Sequence, residues 1–185
     1  MLVTAFEPFS NHSQNASEEL LDAFPEQLPN IQIIKYTLPV SYEEIPSILE
    51  ELIQKEKPDA VIALGQGPTK SGFRLELISK NKISTIHKDN QDFKPESDRI
   101  DPSHVEELEA FLPLEAILKA FENQNVPYEL SENAGSYVCN YTYFHLLNTY
   151  QNKFPTAFVH VNDQGDLDNQ IQALTILIEE VLRFV

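Results

Sequence analysis

Cysteine, tryptophan and positive charge are all scarce in this chain: one Cys, no Trp, and 13 Lys and Arg against 29 Asp and Glu, for a formal charge of −16. A lone cysteine closes no internal disulfide, which suits a reducing compartment, and the expected location is cytoplasmic. So acidic a surface repels nucleic acid and anionic lipid, so neither is an expected partner. No apolar run approaches the roughly 20 residues of a membrane span. The opening MLVTAFEPF has no basic segment ahead of a long apolar run, so no signal peptide is expected. No H-E-x-x-H, paired cysteine, phosphate loop or complete G-x-G-x-x-G is present, and no metal or organic cofactor is expected.

What is present is an ordinary globular balance, 42% hydrophobic and 23% charged, over 185 residues. That length suits one domain spanning 1–185. Short apolar runs alternate with helix-period stretches. Strands are expected at 2–6, 31–38, 60–64, 128–131 and 157–161, and one long strand or a hairpin at 73–86. Helices are expected at 17–24, from about Ile45 or Pro46 to Lys57, from Pro113 to Phe121, at 136–150, and over Leu167 to Val181. Ser41 and Glu44 have the spacing of a capping box. Gly65 to Pro68 reads as a turn, and 87–106 as a long polar excursion. This alternation predicts an α/β domain with a mostly parallel central sheet.

Cys139 is the natural starting point for chemistry. A lone Cys is most often a small core hydrophobe. Here Ala134-Gly135 signals a turn, and Ser136 can cap the following helix. Cys139 then sits in the first helical turn, where the helix dipole lowers a thiol pKa. Of the five histidines, His160 ends an apolar strand ahead of a polar loop. Active crevices lie at the carboxyl ends of such strands. Glu76, an acid within an apolar alternation, offers a third group to orient an imidazole. By position alone, each of these residues also has a plain structural reading.

Eight segments in order resemble the pyroglutamyl peptidase I (pyrrolidone-carboxylate peptidase) family of cysteine peptidases. They are TAFEPF at 4–9, TLPVSY at 37–42, KPDAVIALGQ at 57–66, Glu76 ten residues after Gln66, DNQDFKP at 89–95, FLPLEAILKAF at 111–121, NAGSYVCN at 133–140 and FVHV at 158–161. The resemblance implies a three-layer α/β/α sandwich with a mixed, mostly parallel sheet. It also implies hydrolysis of N-terminal pyroglutamyl residues from peptides. By position, Cys139 would be the nucleophile, His160 the general base and then acid, and Glu76 the orienting carboxylate. Phe6, Phe9, Gln66, Tyr137 and Val138 would surround the neutral lactam, and His87 occupies a further pocket position. Homo-oligomers are common in the family, and the apolar patterns here leave that question open.

The chain also departs from the family pattern. Ser10 and Asn11 replace two glycines, Gly67-Pro68-Thr69 replaces A-G-G, and Ile86 stands where the family has an arginine. Two other readings therefore stay open at this level. One is a thiol hydrolase of another small acyl or amide substrate. The other is a binding protein with an unreactive Cys139.

Overall fold

The structure, a computed structural model, describes residues 1–10 and 12–185; Asn11, one of the two glycine replacements, lies outside them. Among the described residues the chain forms ten strands and five helices. In order these are β1 (Leu2–Phe6), α1 (Ala16–Ala23), β2 (Gln27–Leu28), β3 (Ile31–Gln32), β4 (Ile34–Leu38), α2 (Ile45–Glu56), β5 (Val61–Gln66), β6 (Phe73–Glu76), β7 (Ile78–Lys80), β8 (Glu107–Glu109), α3 (Leu114–Asn123), β9 (Glu129–Ser131), α4 (Val138–Tyr150), β10 (Thr156–Val161) and α5 (Leu167–Arg183).

Six strands make the central sheet, in the order β4-β1-β5-β10-β6-β9. All neighbours are parallel except β10 and β6, which run antiparallel. Strand periodicity sorts the core into two layers. In β5, Ile62 and Leu64 join residues of α1, α3 and α5 such as Leu21, Phe121 and Leu177. Val61 and Ala63 face the other way, toward Leu49 of α2 and Phe144 and Leu147 of α4. Both faces of the sheet are covered, which explains the continuous apolar run of that strand. The result is the α/β/α sandwich expected from the sequence.

Several boundaries differ from the sequence expectation. The 31–38 strand divides: Ile31–Gln32 turns back on Gln27–Leu28, and only Ile34–Leu38 joins the central sheet. The 73–86 segment is neither one strand nor a local hairpin. Phe73–Glu76 joins the central sheet, whereas Ile78–Lys80 leaves it to pair with Glu107–Glu109. Gly65 and Gln66 are not a turn but the last residues of β5. The capping box is half made: Ser41 Oγ accepts from Glu44 N at 3.3 Å. The helix itself begins at Ile45, with Pro46 in its first turn.

The polar excursion is tied down rather than loose. Asp89 accepts from the N–H groups of Tyr42 at 3.0 Å and of Gln91 and Phe93 at 2.9 Å. Glu7 accepts from Val40 N at 3.0 Å and Asn90 Nδ2 at 2.8 Å. These bonds fix the approach to Phe9. Ser10, where the family has glycine, adopts φ 58°, a left-handed conformation that costs an L-residue energy.

Helix α2 ends on Lys57, also left-handed at φ 46° and ψ 56°. Glycine takes this position without the Cβ penalty. Lys57→Gly is expected to raise stability by about 0.5–1 kcal/mol in urea denaturation.

Candidate active site

The carboxyl ends of β1, β5 and β10 meet the amino end of α4 around a cavity of about 450 Å³. Phe6, Phe9, Gln66, Tyr137, Val138, Cys139 and His160 all line it. Seven residues singled out from sequence therefore share one space. Glu76 stands behind His160 and is fully buried. His87 does not reach this cavity. It lines a neighbouring depression with Phe9, Ser10 and Ile86, and its ring meets Tyr137 edge-on at 6.1 Å. Ile86 is 81% exposed there.

The antiparallel register of β6 and β10 sets Phe158 opposite Glu76 and His160 opposite Arg74. Alternation brings all four side chains to one face of the sheet. Glu76 Oε1 lies 2.7 Å from His160 Nδ1. An ionised carboxylate only accepts, so Nδ1 carries the proton and Nε2 presents its lone pair. Burial works to raise the Glu76 carboxyl. The hydrogen bond and charge of His160, then Ser131 and Arg74, outweigh it and hold the group below its ordinary value. Ser131 is turned to the Asn133 carbonyl at 3.4 Å, so Glu76 Oε2 has no hydrogen-bond partner among the described residues.

Arg74 went unnoticed in the sequence, although its i, i+2 spacing to Glu76 on a strand placed both on one face. Its Nε donates to Glu76 Oε1 at 2.8 Å, Nη2 lies 3.3 Å from His160 Nδ1, and Nη1 donates to the Pro68 carbonyl. Asn15, Val40 and the 133–136 turn also line the cavity, although the sequence reading assigns them no place in the site.

Gly65 in β5 and Gly67 just after it allow the close approach of these groups. A Cβ on Gly65 would lie 2.8 Å from Cys139 Sγ and 2.9 Å from the Phe158 ring. A Cβ on Gly67 would lie 2.5 Å from His160 Cδ2. The thiol and imidazole thus lie along one strand end. No hydrogen bond joins them among the described residues.

Helix α4 begins differently from the sequence expectation. Ser136 does not cap it; the N-cap is Tyr137, which makes no side-chain cap bond. The first-turn N–H groups of Val138, Cys139 and Asn140 are therefore left without a cap. Asn140 anchors this turn to β7: its Oδ1 accepts from Lys80 N at 3.0 Å, and its Nδ2 donates to Lys80 O at 2.7 Å and Lys82 O at 2.8 Å. The expected lowering of the thiol pKa is overturned. Cys139 is half-buried as a residue, but its sulfur is enclosed by protein. Burial first, and the Glu76 charge second, push the thiol up to about 12, against its own backbone N–H and Arg74.

The rest of the lining is neutral. Gln66 Oε1 accepts from Ala16 N at 2.7 Å, which leaves Nε2 as its free donor. Among the described residues no group of three or more His, Cys, Asp or Glu is placed to hold a metal. No helix there is long and apolar enough to cross a membrane.

A family profile described as Pyroglutamyl peptidase matches residues 1–176. The pyrrolidone-carboxylate peptidase of Thermococcus kodakarensis is 35% identical over 164 residues, spanning 87% of this chain and 80% of that protein. The solved pyrrolidone carboxyl peptidase from Thermococcus litoralis superposes with a TM-score of 0.88 at 27% identity, covering 99% of this chain and 93% of that one. The corresponding structure from Thermus thermophilus gives 0.87 at 29% identity, covering 97% and 98%.

The loop after Gly67 is rebuilt relative to the family, and Glu129 fastens it. Its Oε1 accepts from Thr69 Oγ1 at 2.7 Å, from Ser71 N at 2.6 Å and from Lys70 N. Burial opposes the charge, but these bonds hold the carboxyl down to about 2. A lowered carboxyl stabilises the fold above its ordinary value of 4.5, and this is lost as pH falls through about 2. Glu129→Gln is therefore expected to be less stable than the parent in urea at about pH 7. The gap should narrow by about pH 3.

Proposed function

The chain belongs to the pyroglutamyl peptidase family, and on that premise we propose that it is a cysteine peptidase releasing N-terminal pyroglutamate from peptides. The observation that supports this most is the convergence on one cavity of a thiol at a helix start and an imidazole backed by a buried carboxylate. We propose that a single domain over residues 1–185 supplies the whole site and works in the cytoplasm.

A thiol pushed up to about 12 rests protonated at neutral pH. The reaction therefore begins with proton transfer from Cys139 Sγ to His160 Nε2 as the sulfur attacks the pyroglutamyl carbonyl carbon. Bound substrate closes the gap between thiol and imidazole, since catalytic hydrogen bonds are often long in an empty site. The new C–S bond drives the carbonyl electrons onto oxygen. That oxyanion accepts hydrogen bonds from the uncapped first turn of α4. Collapse breaks the C–N bond, and His160 gives its proton to the departing amine. Water then attacks the thioester, His160 accepts its proton, and the proton returns to Sγ as free pyroglutamate leaves. Glu76 keeps Nδ1 protonated throughout and stabilises the transient imidazolium.

The neutral lining suits the substrate. A pyroglutamyl ring carries no ammonium, so it gains from the walls of Phe6, Phe9, Tyr137 and Val138 rather than from a charge. Gln66 Nε2 supplies a donor for the lactam carbonyl. His87, at the adjoining depression, contacts what lies outside the ring.

Purified protein is expected to release the fluorophore from a pyroglutamyl-aminoacyl substrate, and Cys139→Ala to abolish release. Gly67→Ala puts a methyl against the imidazole, and about a hundredfold loss in kcat/KM is expected for such a displacement. Folded protein with no turnover at high enzyme concentration would sink the proposal.

A further inference from the structure

Arg74 is the one cation on the cavity wall among the described residues. Its surroundings differ from those of an ordinary surface ion pair. The side chain is 17% exposed and its carboxylate partner 0%. One guanidinium donates to two groups from separate parts of the site, Glu76 Oε1 on its own strand and the Pro68 carbonyl on the rebuilt loop, and it reaches His160 through the carboxylate they share. Glu76 Oε1 is thus shared between imidazole and guanidinium, at 2.7 Å and 2.8 Å. A planar fork can hold such an arrangement, whereas a point charge cannot.

We propose that Arg74 is a positioning residue for the reaction, holding the Glu76–His160 pair and the 67–72 loop in one fork and cancelling the buried carboxylate charge beside the Cys139 thiol. This rests on the reading of Cys139 and His160 as the reacting pair. Ile86 points to the neighbouring depression, so it offers the thiol nothing comparable.

Charge accounting gives the reason. Glu76 alone would leave one uncompensated negative charge behind the imidazole. That charge raises the thiol, and Arg74 lowers it. With Arg74 in place, Glu76 and Arg74 offset each other, so the thiolate forms without an uncompensated negative charge already beside it. Arg74 itself gives up no proton. The other groups around the thiol are weak competitors. The cap of α4 contributes Tyr137 and the turn before α2 contributes Tyr42, both with Asp89 nearby, whereas Tyr143 donates to the Glu76 carbonyl. Gly65 of β5 and Gly67 just beyond it bring no charge to the pair, and neither does Gln66 between them.

The test uses Arg74→Gln and Arg74→Lys in the full chain, with folding checked by circular dichroism. The first readout needs no peptide: the rate of Cys139 alkylation by iodoacetamide at fixed pH, followed by intact mass. Arg74→Gln is expected to slow it about tenfold, the equivalent of one pH unit of lost charge compensation. Arg74→Lys is expected to stay within about threefold, because the charge remains. The second readout is kcat/KM against pH on the pyroglutamyl substrate. With Arg74→Gln the acid limb moves up by about one pH unit, since Glu76 loses a cation that keeps it ionised. Arg74→Lys leaves the limb in place but loses about tenfold in kcat/KM, because the fork to Pro68 is gone. Unchanged alkylation and an unmoved limb in Arg74→Gln would overturn the proposal. If that variant does not fold, Arg74→Lys with kcat/KM equal to the parent overturns it. If the alkylation series follows the expected order but no variant, nor the parent, cleaves the peptide, the peptidase reading fails and the role of Arg74 stands.

Discussion

The 2.7 Å contact between Glu76 and His160 is the interaction on which the site depends, and it follows from one reversal of strand direction. Every other neighbouring pair in the central sheet is parallel, but β6 runs against β10. That reversal sets Glu76 across from Phe158 and one pleat away from His160 on the same face. Phe158 packs its ring against His160 at a centroid distance of 5.0 Å and against Tyr143 at 5.5 Å. Tyr143 in turn donates to the Glu76 carbonyl at 2.9 Å. The imidazole is therefore fixed by a carboxylate from one side and an aromatic ring from another, all within the fully buried centre of the sheet. An ionised carboxylate at such a depth is tolerable only because a cation and an imidazole share it.

The thiol is positioned independently. Asn140, adjacent to Cys139, is bonded through its side chain to the backbone of β7, so the first turn of α4 cannot shift without breaking buried hydrogen bonds. Gly65, near the end of β5, and Gly67 just beyond it leave room for the thiol and the imidazole where a Cβ would collide with them. The two halves are brought together by the sheet, and loops supply the walls. The wall bearing Phe9 is held by Glu7 and Asn90, and the wall bearing Gly67 and Pro68 by Glu129, Arg74 and Asn162, whose Nδ2 donates to the Thr69 carbonyl at 2.6 Å. Both walls are thus anchored by side-chain hydrogen bonds.

The architecture was largely legible in the sequence because its signals are local. The apolar run after Asp59 and the helical spacing from Ile45 to Ile53 each report burial directly, and they lie where the structure has β5 and α2. The strand ends were harder to read. Gly65 reads as a turn residue, but it extends the strand by pairing with His160, and its missing side chain leaves room for Cys139 and Phe158, contacts no local pattern encodes. The departure of Ile78–Lys80 from the sheet depends on pairing with residues 107–109, across the long excursion, and was invisible for the same reason. In the site, Cys139, His160 and Glu76 were found through helix-start placement, strand-end placement and the family resemblance. Arg74 was missed because its meaning lies in cross-strand register with His160. The thiol pKa was misjudged in direction: helix-dipole reasoning applies to an exposed first turn, and here the enclosure of the sulfur is the larger effect.

In the proposed reaction, acylation of one sulfur depends on one buried carboxylate. Its most direct test is rapid-quench intact mass spectrometry of the protein mixed with a pyroglutamyl-aminoacyl substrate, comparing the parent with Glu76→Gln. The expected result is a pyroglutamyl adduct that maps to Cys139 and forms about a thousandfold more slowly in Glu76→Gln, in which the imidazole loses its orienting anion. An adduct on another residue, or equal rates in the two proteins, would contradict it.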